Sequence, residues 1–174
     1  MEIVEYPDFG QGTALAEDQV DAATGFAINE PVAMELQGID VNVLHVDDTI
    51  ALPGPGLILS GDPARKTLLG SDRWIGPFVA ATLRAMREIA ADPEVGVEAA
   101  VTAVPELAES RATQRAILDA TIAVWTPPGG SADDFGRIDS AGWQASLDYM
   151  TTLGLVPNPV KVENLVSNAY LPAG

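Results

Sequence analysis

Asp18-Gln19-Val20-Asp21-Ala22-Ala23-Thr24-Gly25-Phe26-Ala27-Ile28-Asn29-Glu30-Pro31 is the stretch on which the fold reading turns. It reads as a short buried strand, Val20 to Phe26, running straight into a helix that starts near Asn29. Asn29 is a good helix cap, and Pro31 sits near the first turn, where its missing N–H costs nothing. Gly38 stops that helix after Leu36. Strand ends that meet helix starts are where open α/β proteins place ligands, because free amides and polar side chains converge there.

Working outward, Ile3 to Tyr6 alternates apolar and acidic residues, as a half-buried strand does. Pro7-Asp8-Phe9-Gly10 turns the chain, and Thr13 is placed to cap a short helix, Ala14 to Glu17. Asp40 to Val46 reads as a third strand. Leu57 to Leu59, after Pro53-Gly54-Pro55-Gly56, reads as a fourth. The character changes near Gly61. Ser71 or Asp72 opens a long helix to about Ala91, whose stripe Ile75, Val79, Leu83, Met86 and Ala90 has helical spacing. Asp92-Pro93 ends it and begins another, Glu94 to Ala103. Pro105 opens a third, Glu106 to Trp125, broken by Pro127-Pro128-Gly129-Gly130-Ser131. Ser140 to Leu153 is a fourth, stopped by Gly154, and Val162 to Val166 a short terminal one. The fold class is therefore read as α/β, with a short βαβ lobe and crossover strand over residues 1–61 and a helical segment over 62–174.

Composition narrows the function. The 174 residues are 47% hydrophobic, which suits a packed domain and excludes a disordered chain. The net charge is −16, and lysine occurs only at Lys66 and Lys161. Such a chain lacks the electrostatic footprint for nucleic acid or anionic membrane. With no cysteine, disulfides, thiolate catalysis and cysteine–zinc sites are excluded. Met1-Glu2-Ile3-Val4-Glu5-Tyr6 has neither the positive start nor the long apolar run of an export signal, and no stretch reaches the roughly 18–20 apolar residues of a membrane span.

The ordered series Gln19-Val20-Asp21-Ala22, Asn29-Glu30-Pro31, Gly38-Ile39-Asp40-Val41 and Pro53-Gly54-Pro55-Gly56-Leu57-Ile58 resembles the NMT1/THI5-like substrate-binding proteins of ABC transporters. Phe78 to Ala85 with Ala91-Asp92-Pro93-Glu94 is similar to the family's helix pair, and Trp143 to Leu155 with Ala169-Tyr170-Leu171-Pro172 to its ending. Asp18 stands where the family usually has glycine. The resemblance implies part of a type II periplasmic-binding-protein fold, matching the C-terminal half of a complete member, as a truncation would. It implies a two-lobed clamp closing on a small molecule, a permease partner, a periplasmic or extracellular location for the full-length relative, and no cofactor. The implied ligand is a small nitrogenous heteroaromatic such as a thiamin-precursor pyrimidine, with a sulfonate second. The competing reading is a pyrimidine-precursor synthase of thiamin biosynthesis. Those relatives carry a cysteine-rich motif, and the absence of cysteine argues against that activity. A non-functional remnant is the third reading. An exposed sheet edge and an unfilled apolar face would favour a homodimer.

The candidate ligand-binding residues are Gly25, Phe26, Asn29, Glu30 and Gly56. An amide and a carboxylate at one junction suit a ligand with paired donors and acceptors. Equally, Asn29 is accounted for as a cap and Glu30 as a first-turn acid favoured by the helix dipole. Phe26 can stack on an aromatic ring or fill a core. Gly56 allows close backbone approach, a hinge or a plain turn. His45, the single histidine, precedes Asp47 and Asp48. Two ligands on one strand face make a poor metal site, and none is assigned. Neither a catalytic triad nor a phosphate loop is present. Trp74, Trp125 and Trp143 read as helix core residues, and Asp133-Asp134 as a solvated loop.

Overall fold

The computed structural model describes residues 2–6, 8–54, 56–59, 72–126 and 130–172. Among the described residues six α-helices occur: α1 (Gln11–Ala16), α2 (Glu30–Leu36), α3 (Ile75–Ala91), α4 (Pro93–Ala103), α5 (Arg111–Trp125) and α6 (Ser140–Thr152). Short 3-10 turns stand at Val46–Asp48, Asp72–Trp74, Pro105–Ser110, Ala132–Asp134 and Val162–Asn164. The lobe boundary drawn near Gly61, the Ser71 cap and the Pro127-Pro128-Gly129 break lie outside the described residues.

The α/β expectation is corrected here. Among the described residues there is no strand, so the βαβ lobe and the partial periplasmic-binding-protein fold are not formed. Residues 2–6, 22–26, 39–45 and 56–59 carry no regular structure, and Val46 opens a 3-10 turn where the third strand was expected to end. Most of their apolar side chains stay in solvent: Ile3 is 79% exposed, Leu44 84% and Ile58 95%. Alternating apolar residues make a segment suitable for a sheet, but each strand needs a neighbour to take its N–H and C=O groups. None of these segments has one among the described residues.

The helices follow local rules closely. α2 spans the expected Glu30–Leu36. The Asp92 side chain caps α4, accepting from the Glu94 amide at 3.2 Å, with Pro93 in the first turn. The Asp139 carboxylate does the same for α6 through Ala141 N–H at 3.0 Å. The run expected from Glu106 splits into a 3-10 start and α5. The short helix expected at Ala14 instead begins at Gln11, and Gly10 rather than Thr13 is its N-cap.

Three of the described helices end in the same hydrogen-bonded motif, with a left-handed residue just past the C-cap. After α2 that residue is Gly38 (φ 76), with Gly38 N–H donating to Glu35 C=O at 2.9 Å and Ile39 N–H to Met34 C=O at 3.0 Å. After α6 it is Gly154 (φ 72), with the equivalent bonds to Thr151 and Met150. After α1 it is Asp18 (φ 56), with bonds to Leu15 and Ala14. The left-handed conformation crowds a Cβ against the following carbonyl, which explains why glycine suits the position held here by Asp18. Asp18→Gly is expected to stabilise the chain by about 0.5–1 kcal/mol. A higher urea midpoint at unchanged slope would show it, and an unchanged midpoint would contradict it.

The chain forms two compact units. The first holds residues 1–44 and 92–124. Within it α1 meets α2: a Cβ on Gly12 would lie 3.3 Å from Glu30 Cγ and 3.8 Å from Met34 Cε. Ala14, Met34 and Val97 are its most buried apolar side chains, and α4 is tied to α5 by ion pairs. The second unit holds residues 45–91 and 125–174. Ile75 and Leu83 of α3 are buried, with Phe135, Leu147 of α6 and Val162. The rest of the α3 stripe, Val79, Met86 and Ala90, is half-buried, as its spacing predicts. Arg87 Nε donates to Ala132 C=O at 3.2 Å. The Asn168 side-chain amide pairs with both main-chain groups of Ile138, accepting from N–H at 2.8 Å and donating to C=O at 3.0 Å. That pairing fixes the C-terminal segment to the lead-in of α6.

Candidate functional site

The turn Gly25–Glu30 holds four of the five candidate residues. Phe26 C=O accepts from Asn29 N–H at 2.9 Å, which closes the turn into α2. Glu30 folds back over it, and its Oε2 accepts from Phe26 N–H at 2.7 Å. That length suits a charge-assisted bond. A Cβ on Gly25 would lie 2.8 Å from the same oxygen, so only glycine leaves the carboxylate room to reach the amide. The Phe26 ring itself is 70% exposed. It is therefore not a core residue.

Asn29 is the N-cap of α2, but its side chain makes no capping hydrogen bond. Its carboxamide is exposed. Glu30 is half-buried, and among the described residues only its Oε2 is engaged. The turn thus offers, within six residues, an aromatic face, a carboxamide with donor and acceptor, and one carboxylate oxygen. Gly56 belongs to the second unit, and a Cβ there would meet nothing within 4 Å. Its backbone is not crowded by any described group.

Gly12 belongs to this neighbourhood and was not legible in the sequence. It lies in a helix and touches Glu30 only through tertiary packing, so no local pattern marks it.

Other candidate features have structural roles. His45 Nδ1 and Asp47 Oδ1 are 3.7 Å apart, both largely exposed, and among the described residues no cluster of three metal-ligating side chains occurs. Arg111 reaches from α5 to Glu94 and Glu98 of α4, and Arg115 bonds Asp119 and Glu94. The Arg111 hydrogen bond holds the Glu94 carboxyl below its usual range. The small stabilisation this lends is present above the ordinary carboxylate range and is lost as pH falls through the depressed value. Because these guanidiniums already face carboxylates, they are poorly placed to take an anionic ligand. A crevice between α4 and α5, lined by Val97, Ala100, Ile117 and Leu118 among others, holds about 190 Å³. That is below the roughly 300 Å³ of a small-molecule pocket. Trp74 lies edge-on to Phe78 at 6.3 Å, and Trp125 edge-on to Phe135 at 6.0 Å. Among the described residues, no helix is long and apolar enough to cross a membrane.

Comparison with known proteins agrees with the resemblance read from the motifs. The family described as NMT1/THI5 like matches residues 1–95. The riboflavin-binding protein RibY of Chloroflexus aurantiacus is 29% identical over 167 residues, covering 95% of this chain and 46% of that protein. The chain therefore spans about half the length of the curated relative it matches. No solved structure matches it. Residues 1–95 carry the whole Gly25–Glu30 turn and more than half of the sequence, and on that match the chain belongs to the NMT1/THI5-like family.

Proposed function

We propose that this chain contributes ligand-contacting surface to a solute-capturing protein of an ABC importer, and that the ligand is a planar nitrogenous heteroaromatic. The observation that carries the reading is the Phe26 ring, 70% exposed, beside the Asn29 carboxamide and the Glu30 carboxylate in one closed turn. A ring stacked on Phe26 gains apolar contact, while the Asn29 carboxamide answers polar groups on its edge. The similar protein is named for riboflavin binding, which favours an isoalloxazine over the aminopyrimidine that the family resemblance implied. A sulfonate fits less well, because the net charge is −16 and the α5 arginines Arg111 and Arg115 are paired with carboxylates.

The relative is named as a binding protein, in keeping with capture rather than turnover. Docking to a permease and a periplasmic or extracellular site of action belong to the same proposal. So does self-association, which the many exposed large apolar side chains favour.

Titration of riboflavin fluorescence with the purified chain tests the reading. Saturable quenching is expected, weakened about tenfold by Phe26→Ala, since ring stacking is worth on the order of 1–3 kcal/mol. Saturable binding of an aminopyrimidine with none of riboflavin would reject the isoalloxazine. Binding of riboflavin that ignores Phe26→Ala would reject the site.

A further inference from the structure

We propose that Glu30 is a positioning residue, which presents the Phe26 ring by holding the Phe26 main chain, and that its charge is not what recognises the ligand. The inference rests on the reading of the Gly25–Glu30 turn as a ligand site, and it assigns Glu30 a role different from direct pairing with a heterocycle.

Three observations converge on the carboxylate. First, Oε2 accepts from Phe26 N–H at 2.7 Å, four residues back along the chain. A first-turn acid serving only the helix dipole would need no such partner. Second, the Glu30 side chain lies in a slot walled by glycine on two sides. A Cβ on Gly12 would fall 3.3 Å from its Cγ, and a Cβ on Gly25 would fall 3.2 Å from Cγ, 2.9 Å from Cδ and 2.8 Å from Oε2. Real Cβ atoms essentially never come within 3.0 Å of another heavy atom, so the Glu30 carboxylate keeps this position only because Gly25 has no Cβ. Gly25 is not in the left-handed region, so its requirement is for space and not for backbone freedom.

Third, Phe26 is fixed at both ends of its own residue. Its N–H is bound by Glu30 and its C=O by Asn29 N–H at 2.9 Å. With both main-chain groups tied, the direction of the Cα–Cβ bond is set and only the side-chain torsions remain. An aromatic side chain has two such torsions, so little freedom is left to lose when a ligand stacks on it. Glu30, Gly12 and Gly25 together therefore preorganise the aromatic face. Side-chain exposure alone would not argue this, since single exposed apolar residues are ordinary.

The test separates hydrogen-bond acceptance from charge. Amide NMR spectra of the full chain would be recorded for the wild type, Glu30→Gln, Glu30→Ala and Gly25→Ala, alongside riboflavin titrations. Glutamine keeps an oxygen that accepts from the amide but carries no charge. The expected result is that Glu30→Gln retains the downfield, weakly temperature-dependent Phe26 amide signal and binds riboflavin within about threefold of wild type. Glu30→Ala and Gly25→Ala are expected to lose the amide signature and to weaken binding together, by about tenfold.

Equal loss of affinity in Glu30→Gln and Glu30→Ala, with the amide signature intact in the former, would overturn the proposal and make Glu30 a direct charged contact. A wild-type Phe26 amide with the shift and temperature coefficient of a solvent-exposed group would overturn it as well. If no variant binds riboflavin, the ligand reading fails, while the amide signature still decides whether Glu30 holds Phe26. Should Gly25→Ala fail to fold, Glu30→Gln carries the decision.

Discussion

Phe135→Ala is expected to cost about 4 kcal/mol. Phe135 is 2% exposed and lies edge-on to Trp125, with ring centroids 6.0 Å apart at 71°. Truncation removes the buried ring, leaves a cavity the surrounding side chains fill only in part, and deletes the aromatic pair. The residue is placed by its neighbours. Ser131 and Asp134 form a reciprocal capping box on the Ala132–Asp134 turn, which turns the chain so that Phe135 points inward. Chemical denaturation followed by tryptophan fluorescence would read both the loss of stability and the altered Trp125 environment. A change under 1 kcal/mol would mean that the ring is not in the core.

Gly136→Ala is expected to cost about 3 kcal/mol, from two separable sources. Gly136 has φ 78, in the left-handed region that a Cβ disfavours. Its added Cβ would also fall 2.5 Å from Leu83 Cδ2, and Leu83 is itself 3% exposed. A buried leucine has nowhere to retreat, so the overlap is relieved only by moving α3 or the turn. Gly154→Ala is the matched control. Gly154 has φ 72 in the same unit, but a Cβ there meets nothing within 4 Å. It is expected to cost only the backbone share, about 1 kcal/mol. Equal destabilisation in the two variants would show that the approach to Leu83 carries no energy.

These two residues also mark where the sequence reading ran out. The acidic pair Asp133-Asp134 reads as a solvated loop; Asp133 is exposed, but Asp134 is half-buried and its carboxylate accepts from Ser131 N–H to close a 3-10 turn. The chain around them nevertheless delivers one of the most buried side chains among the described residues. Nothing local distinguishes a phenylalanine that enters a core from one that stays in solvent. Phe26, at 70% exposure, has the more apolar neighbourhood in the sequence and the opposite fate.

Four of the five site candidates are together for a reason already in the chain: they lie within six residues of one another. What the sequence left open was the role of each. Asn29 has the residue type of a side-chain cap and makes no capping bond, while Glu30 has the type of a dipole acid and instead binds an amide behind it. Gly12 joins them only because α1 folds against α2, and Gly56 lies in the other unit.

The helices and their ends were set by the sequence, because an α-helix closes its hydrogen bonds four residues away and its stop signals one or two residues past its end. Gly38, Asp92, Asp139 and Gly154 act where they stand. The strands were not, because apolar alternation describes one face of a segment and a strand also needs a second segment to receive its N–H and C=O groups. Residues 2–6, 22–26, 39–45 and 56–59 have the pattern without the partner. Tertiary structure alone decided that, and it alone put Phe135 inside, Phe26 outside, and the Glu30 carboxylate between two glycines.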